Sequence, residues 1–322
     1  MHFNKTNAIL KSETIFLEML FFILTLSYTL TWADSEKCPD EYARLSEDHT
    51  YCLDIDPKCN IRDKDVTQDE IDHILKLHNK YRSRVALGQE TKAGGLPTAS
   101  DMLEMVWDEE LAGIAQKWAN NCLTKHDCNE CREVANFPVG QNIRTSKQAC
   151  YTSQCVKPSD RKHDWGKTVK SFYDEVNDYD KSWLSLFEDR EEVDIGHFTQ
   201  VVWAKTWRIG CGFAAFVKGK TYTKFYVCNY GPAGNIEDAP VYEQGKPGSA
   251  CPINSCVRGE TCTGGKDYPG LCKMLDPDTA PIYERYLKDS LFFCDSSTET
   301  EDCAAAVDGT SNWIFTRNLQ GM

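Results

Sequence analysis

Apolar side chains recur at helical spacing in three stretches of the chain, crowd into two strand-like stretches, and form one unbroken run near the start. That run, "MLFFILTLSYTLTWADS", is short for a bilayer span and passes through the small residue Ala33. It predicts a secretory signal peptide cleaved near Ala33. Residues 34–66 lack periodicity and carry Cys38, Cys52 and Cys59, so they read as an extended arm stapled onto a larger body. In "TQDEIDHILKLHNKYRSRVALG" Thr67 and Glu70 have capping-box spacing, Ile71, Ile74, Leu75 and Val85 mark one face, and Gly88 marks the end. A second helix opens at Asp108 and turns Leu111, Ile114, Ala115, Trp118 and Cys122 inward, where a disulfide at Cys122 would pin it. The third runs from Asp164 to about Tyr179 on Trp165, Val169, Phe172 and Val176.

Between the last two helices, residues 123–160 read as loop with a short strand at "VGQNI". Beyond the third helix, "RIGCGFAAFV" and "TYTKFYVCNYG" form two strands about the turn Lys218-Gly219-Lys220, with Cys211 and Cys228 one in each. A disulfide between them would lock the hairpin register. After Val241 the chain turns to Gly, Pro and four cysteines without a core of its own, which describes a small stapled module. The last 50 or so residues are acidic and irregular apart from a short helix near "IYERYLKDSLFF", with Cys294 and Cys303 closing a local loop. Helices around a hairpin-based antiparallel sheet place the chain in the α+β class.

Charge narrows the partners. With 36 Lys and Arg against 49 Asp and Glu, a net charge of −13 and no basic stripe, nucleic acid is excluded as a partner. No stretch after the leader is apolar enough for a membrane-embedded protein. All 16 cysteines follow the leader, an even number entering an oxidising compartment, so most are read as disulfides. "HDCNEC" and "CPINSC" invite a structural zinc reading, which the lack of repeated C-x-x-C pairs disfavours. His197, His126, Glu175 and Gln141 are each ambiguous alone, since a half-buried histidine bonded to backbone is common.

"GHFTQVVWAKT" (196–206) and "FYVCNYGPAGNI" (225–236) together resemble the signatures of the CAP superfamily: cysteine-rich secretory proteins, antigen 5 and pathogenesis-related 1 proteins. "LHNKYRSRVALGQET", "WANNC", "HDCNECREVANFPVGQNI" and "YDEVNDY" are most similar to the antigen 5 venom allergens of arthropods, and the likeness runs from about Thr67 to Tyr242. The resemblance implies a three-layer α-β-α sandwich with a central antiparallel sheet. It implies an arm at 34–66, the CAP domain at 67–245, a hinge-like module at 246–273 and an acidic tail at 274–322. It also implies a cleft holding His126, Glu175 and His197, with Gln141 where the family usually carries a second glutamate. That substitution removes an anionic ligand and a candidate base, leaving His126, His197 and Glu175 as a possible three-ligand site for zinc or another divalent ion, with no cofactor required. By the same likeness Cys211 pairs with Cys228 and Cys59 with Cys122, Cys38 pairs with Cys52 or Cys128, and Cys131, Cys150 and Cys155 are unassigned.

Three functions follow from the resemblance. The first is a secreted, extracellular, non-catalytic protein of venom or saliva that binds a lipid, a sterol or another apolar ligand, or docks on a host protein. The second is a metal-assisted hydrolase using the cleft; no Ser or Cys stands in a recognisable nucleophile setting. The third is an ion-channel modulator, for which six cysteines after Val241 replace the ten of the family's channel-binding module. Arg258-Gly259-Glu260 has a slight likeness to an integrin-binding loop.

Overall fold

Strands β1 (Asn60–Lys64), β2 (Val106–Trp107), β3 (Gly140–Ala149), β4 (Arg208–Lys218) and β5 (Thr221–Gly231) make one sheet in the order β1-β4-β5-β3. The computed structural model describes residues 38–150, 162–263 and 267–276. The signal peptide, Cys155, the Cys294 and Cys303 loop and the tail helix lie outside these residues. β4 and β5 pair antiparallel with Cys211 opposite Cys228 and Lys218 opposite Thr221, so the turn is the two residues Gly219-Lys220, with Gly219 at φ 59°. The disulfide Cys211–Cys228 closes that register. β1 lies antiparallel to β4, and β2 adds a short parallel pair to the same edge. The segment read as an arm therefore supplies an edge strand. Two short helical turns precede it, α1 (Asp40–Ala43) and a 3-10 turn at Thr50–Cys52.

Alternation along the hairpin splits the core into two layers. Phe213, Ala215, Tyr226, Cys228 and Tyr230 face a large cluster, whereas Ala214, Phe216, Phe225 and Val227 face a smaller one. Both faces are covered, which is why the strands read as apolar runs rather than as alternating ones. Helix α2 (Gln68–Ala86), helix α4 (Trp165–Tyr173) and helix α5 (Gly196–Val202) cover the first face, through Ile74, Val85, Trp165, Phe172, Phe198 and Val201. Helix α3 (Glu109–Asn120) covers the second, through Ala115, Trp118 and Ala119. Gly210 and Gly212 make that contact close: a Cβ on Gly212 would lie 2.3 Å from the Gln116 nitrogen, and one on Gly210 2.1 Å from that of Ala112.

Local signals hold at the helix ends. Thr67 and Glu70 form the capping box of α2. Its C-terminus closes with Gly88 N–H on Val85 and Gln89 N–H on Arg84, a Schellman arrangement with Gly88 at φ 65°. Asp108 and Asp164 cap α3 and α4. α4 stops at Tyr173 instead of near Tyr179, and tightens into a 3-10 turn over Asp174–Asn177. β3 is far longer than the strand expected at "VGQNI", because ten successive residues find partners on β5.

Strands β6 (Ser255–Val257) and β7 (Cys272–Met274) form the C-terminal module, stapled by Cys251–Cys272 and Cys256–Cys262. It has no core of its own. Cys272 and Met274 pack with Leu103 and Trp207 of the main domain. Arg258 is not displayed as a recognition loop would need: its Nε and Nη2 donate to both carboxylate oxygens of Glu104, at 2.5 and 2.7 Å.

The inner face of α2 carries polar groups that periodicity does not single out. Arg82 is fully buried. Its Nε donates to Leu103 O, Nη1 to Val201 O and Trp203 O, and Nη2 to Ala204 O and Thr206 O, at 2.7–3.0 Å. One turn earlier, buried His78 bonds Ile74 O through Nδ1 and the Tyr230 hydroxyl through Nε2. Burial holds its imidazole down at about 4, with the nearby Arg82 charge adding to the effect.

Two outcomes are expected. Arg82→Lys offers three donors to five carbonyls, so at least two of the charge-assisted bonds are lost, at about 1–3 kcal/mol each, although Trp203 O and Ala204 O keep the N–H groups of Thr206 and Leu103. Denaturant unfolding with disulfides intact should show a loss of about 2 kcal/mol or more. His78 is neutral in the fold and titrates near 6.5 unfolded, so its contribution is complete above pH 6.5 and is lost as pH falls toward 4. That interval corresponds to about 3 kcal/mol, and His78→Gln should flatten the decline of stability between pH 6.5 and 4 relative to the parent protein.

Candidate functional site

The four cleft residues come from four different segments. His126 lies in the loop after α3, Gln141 near the start of β3, Glu175 on the 3-10 turn after α4, and His197 second in α5. Gln141 lies opposite Asn229 in the β3-β5 register. The premature end of α4 matters here, since it puts Glu175 on a tight turn that faces the first residues of α5.

Glu175 organises the His197 half. Its Oε1 accepts from His197 Nδ1 at 2.5 Å, and its Oε2 accepts from the main-chain N–H groups of His197 and Phe198 at 2.8 and 3.0 Å. Ile195, the residue before α5, has no side-chain cap to offer, and the carboxylate supplies it from elsewhere in the fold. The imidazole also stacks on Phe172, ring centroids 5.0 Å apart. Asn142 Nδ2 donates to His197 O at 3.1 Å and to the same Tyr230 hydroxyl that meets His78.

An amide network organises the His126 half. Gln141 Nε2 donates to Asp127 Oδ1 and Asn229 Oδ1, both at 3.0 Å. Its Oε1 must then accept, so the proton of His126 lies on Nδ1, 2.8 Å away. Desolvation lowers the His126 pKa even though the ring reaches solvent; the positive charges of Arg132 and His197 push the same way, against Gln141 and Asp127. Asp127, Asn142 and Asn229 are site residues that pattern reading passed over. Two of them lie inside the motif text "GQN" and "CNYG".

Donor chemistry decides what the cleft offers a metal ion. Both Nδ1 atoms are engaged, which leaves one Nε2 on each ring. Glu175 has both oxygens occupied and acts as the orienting partner of His197. The expected set of His126, His197 and Glu175 thus presents two imidazole Nε2 atoms beside a carboxylate that already accepts three hydrogen bonds. Among the described residues, no group of three or more His, Cys, Asp or Glu side chains is placed to hold a metal ion.

A cavity of about 560 Å³ lies apart from these residues, where Asp69, Glu70 and His73 of α2 meet Lys162, His163, Asp164, Trp165 and Gly166 at the start of α4. Six of its eight lining residues are acidic, basic or histidine, and Trp165 is itself buried.

The disulfides resolve one alternative. Cys59–Cys122 ties the arm to the end of α3, as the resemblance implied. Cys128 pairs with Cys131, which removes Cys128 as a partner for Cys38. Cys38, Cys52 and Cys150 are also disulfide-bonded.

Residues 75–230 match the profile of the cysteine-rich secretory protein family, CAP. The chain is 44% identical over 300 residues to a CRISP/Allergen/PR-1 protein of Trittame loki, covering 93% of this chain and 70% of that one. It is 43% identical over 281 residues to a venom allergen 5 of Tityus serrulatus, covering 86% of this chain but only 65% of the relative's length. Among solved structures, that of Na-ASP-1 is 30% identical with a TM-score of 0.49, over 62% of this chain and 46% of that one.

Gln141→Glu tests the electrostatic account of the His126 half. A carboxylate at this position should raise the His126 titration midpoint by about one pH unit or more, read from its ring resonances by NMR.

Proposed function

The chain belongs to the cysteine-rich secretory protein (CAP) family, and from that premise we propose that it is an antigen 5-like extracellular protein that binds rather than cuts, taking an apolar or amphiphilic ligand or docking on a host target. The observation that carries this reading is the saturation of the cleft by its own hydrogen bonds. Glu175 is consumed in capping α5 and orienting His197, and Gln141 in orienting His126. The His197–Glu175 pair has the form of an oriented base. Among the described residues, however, no serine, threonine or cysteine is hydrogen-bonded to either imidazole, and none of the cysteines is free. With an amide at Gln141, the second carboxylate of an acid-base pair is missing. No helix among the described residues is long and apolar enough to cross a membrane.

For the ligand, the cavity between the starts of α2 and α4 is the better host than the cleft. Lys162 and His73 supply positions for a polar head, while Trp165 is only 2% exposed and His163 is engaged by Glu70 and Asp63. An amphiphile suits this lining better than a wholly apolar molecule.

Denaturing extraction followed by mass spectrometry, on the parent protein and on His126→Ala/His197→Ala, separates the readings. Binding predicts a co-purifying amphiphile in equal amount from both proteins and no hydrolysis that depends on the two histidines. A peptidase or esterase activity that disappears in the double variant would establish the hydrolase instead. Calorimetric titration with zinc should show weak binding at most, removed by His197→Ala.

A further inference from the structure

The ring closed by Cys128 and Cys131 stands out among the disulfides of the described residues. Its cysteines are three positions apart in "CNEC", against 63 for Cys59–Cys122, 17 for Cys211–Cys228, 21 for Cys251–Cys272 and 6 for Cys256–Cys262. The stabilisation a cross-link derives from restricting the unfolded chain grows with the length it spans. This ring therefore contributes least by that route, and holds two residues that a 3-10 turn over Glu130–Arg132 already brings together. The two cysteines also differ in exposure: Cys128 is an exposed residue, whereas Cys131 is 7% exposed. Cys211 and Cys228 are both buried.

The ring is joined to the cleft by charge-assisted bonds. Arg132 Nη1 donates to the Asp127 and Cys128 carbonyls, at 3.0 and 3.1 Å, and to Asp127 Oδ1 at 2.7 Å. Nη2 donates to Asn129 Oδ1 within the ring, and Nε to Val139 O at the entry to β3. Asp127 Oδ1 in turn receives Gln141 Nε2, and Gln141 Oε1 receives His126. The other oxygen of Asp127 accepts from Thr50 of the arm at 2.6 Å. The peptide that the disulfide folds back on itself is thus the one that presents acceptors to Arg132, and Arg132 with Asp127 positions the amide that orients His126.

We propose that Cys128–Cys131 is an exchangeable disulfide, opened by small thiols of the glutathione class, and that its opening releases the His126 half of the cleft while the rest of the fold stays oxidised. An external thiolate attacks the sulfur of Cys128, the Cys128–Cys131 bond breaks, and Cys131 leaves as a thiolate that takes a proton from solvent. A second external thiolate then attacks the sulfur of the first external thiol in the mixed disulfide, and Cys128 leaves as a thiolate that takes a proton from solvent. The products are the Cys128 and Cys131 thiols and one disulfide of the external thiol, so two electrons and two protons pass from two thiols to the protein. An exposed thiol acting on a C-x-x-C pair is the setting in which disulfides serve as switches rather than staples.

The test uses the native protein in a graded series of reduced glutathione. Each sample is quenched with one alkylating label, fully reduced, given a second label and mapped by peptide mass spectrometry. Cys128 and Cys131 should take the first label together, at a glutathione concentration at least tenfold below that needed for Cys59, Cys122, Cys211 or Cys228. At that concentration the ring resonances of His126 should shift while those of buried His78 remain in place. Labelling of Cys128 and Cys131 only alongside or after the other pairs would overturn the exchange. Selective labelling with unmoved His126 resonances would overturn the coupling. The folded Cys128→Ser/Cys131→Ser variant checks the coupling without reductant: it should show the shifted His126 resonances in oxidising buffer, and parent-like resonances count against the proposal.

Discussion

A guanidinium buried without solvent must have every N–H satisfied, and Arg82 meets this demand by gathering five main-chain carbonyls from two separate segments. Four belong to residues 201–206, where α5 ends and the chain turns into β4, and one belongs to Leu103, just before β2. The stretch is irregular: Trp203 O and Ala204 O accept one main-chain N–H each, from Thr206 and Leu103, and the arginine adds donors to these and to the remaining carbonyls. Because α5 carries His197 at its start, the same contact that fixes the end of α5 also fixes the height of the cleft above the sheet. His78 extends the arrangement one turn along α2, passing through the Tyr230 hydroxyl and Asn142 to the His197 carbonyl. Helix α2 is in this sense the spine of the site, although none of its residues belongs to the cleft.

The two halves of the cleft are held by different physics. On the His197 side a full negative charge on Glu175 meets an imidazole and two amides of a helix start, so orientation there rests on charge-assisted bonds. On the His126 side the immediate partner is neutral, and charge appears only one bond further out, in the Asp127–Arg132 pair. Gln141 passes the position of that pair to the imidazole without passing on its charge. Such a cleft has the outline of an acid-base site with a neutral amide standing where a second carboxylate would be.

The peripheral segments follow the same economy. Both the N-terminal arm and the C-terminal module lack a core, and both acquire order by borrowing from the main domain. β1 joins the exposed edge of β4, and Cys59–Cys122 anchors it to α3. β7 adds Cys272 and Met274 to Leu103 and Trp207, with the Arg258–Glu104 pair locking the outer strand. Covering an edge strand with an arm also blunts its tendency to pair with other chains.

Much of this protein was legible in the chain itself. Helix starts at Thr67, Asp108 and Asp164 are local events, governed by a side chain within three residues of an orphan N–H, and they stand where the sequence places them. The hairpin, its disulfide and the α+β class are likewise written in short-range pattern, and two signature stretches were enough to identify the family. The arm's β1, the full length of β3 and the early end of α4 were not legible, because each depends on a partner distant in sequence: β4 for β1, β5 for β3, and the start of α5 for the turn that carries Glu175. The same holds for the site. Sequence named His126, Gln141, Glu175 and His197, yet the occupation of both Glu175 oxygens, the hidden roles of Arg82 and His78, and the Cys128–Cys131 pairing were decided only in three dimensions. A polar residue on an apolar helix face looks like an irregularity in one dimension, and its meaning comes from carbonyls and hydroxyls that only the folded chain brings within hydrogen-bonding distance.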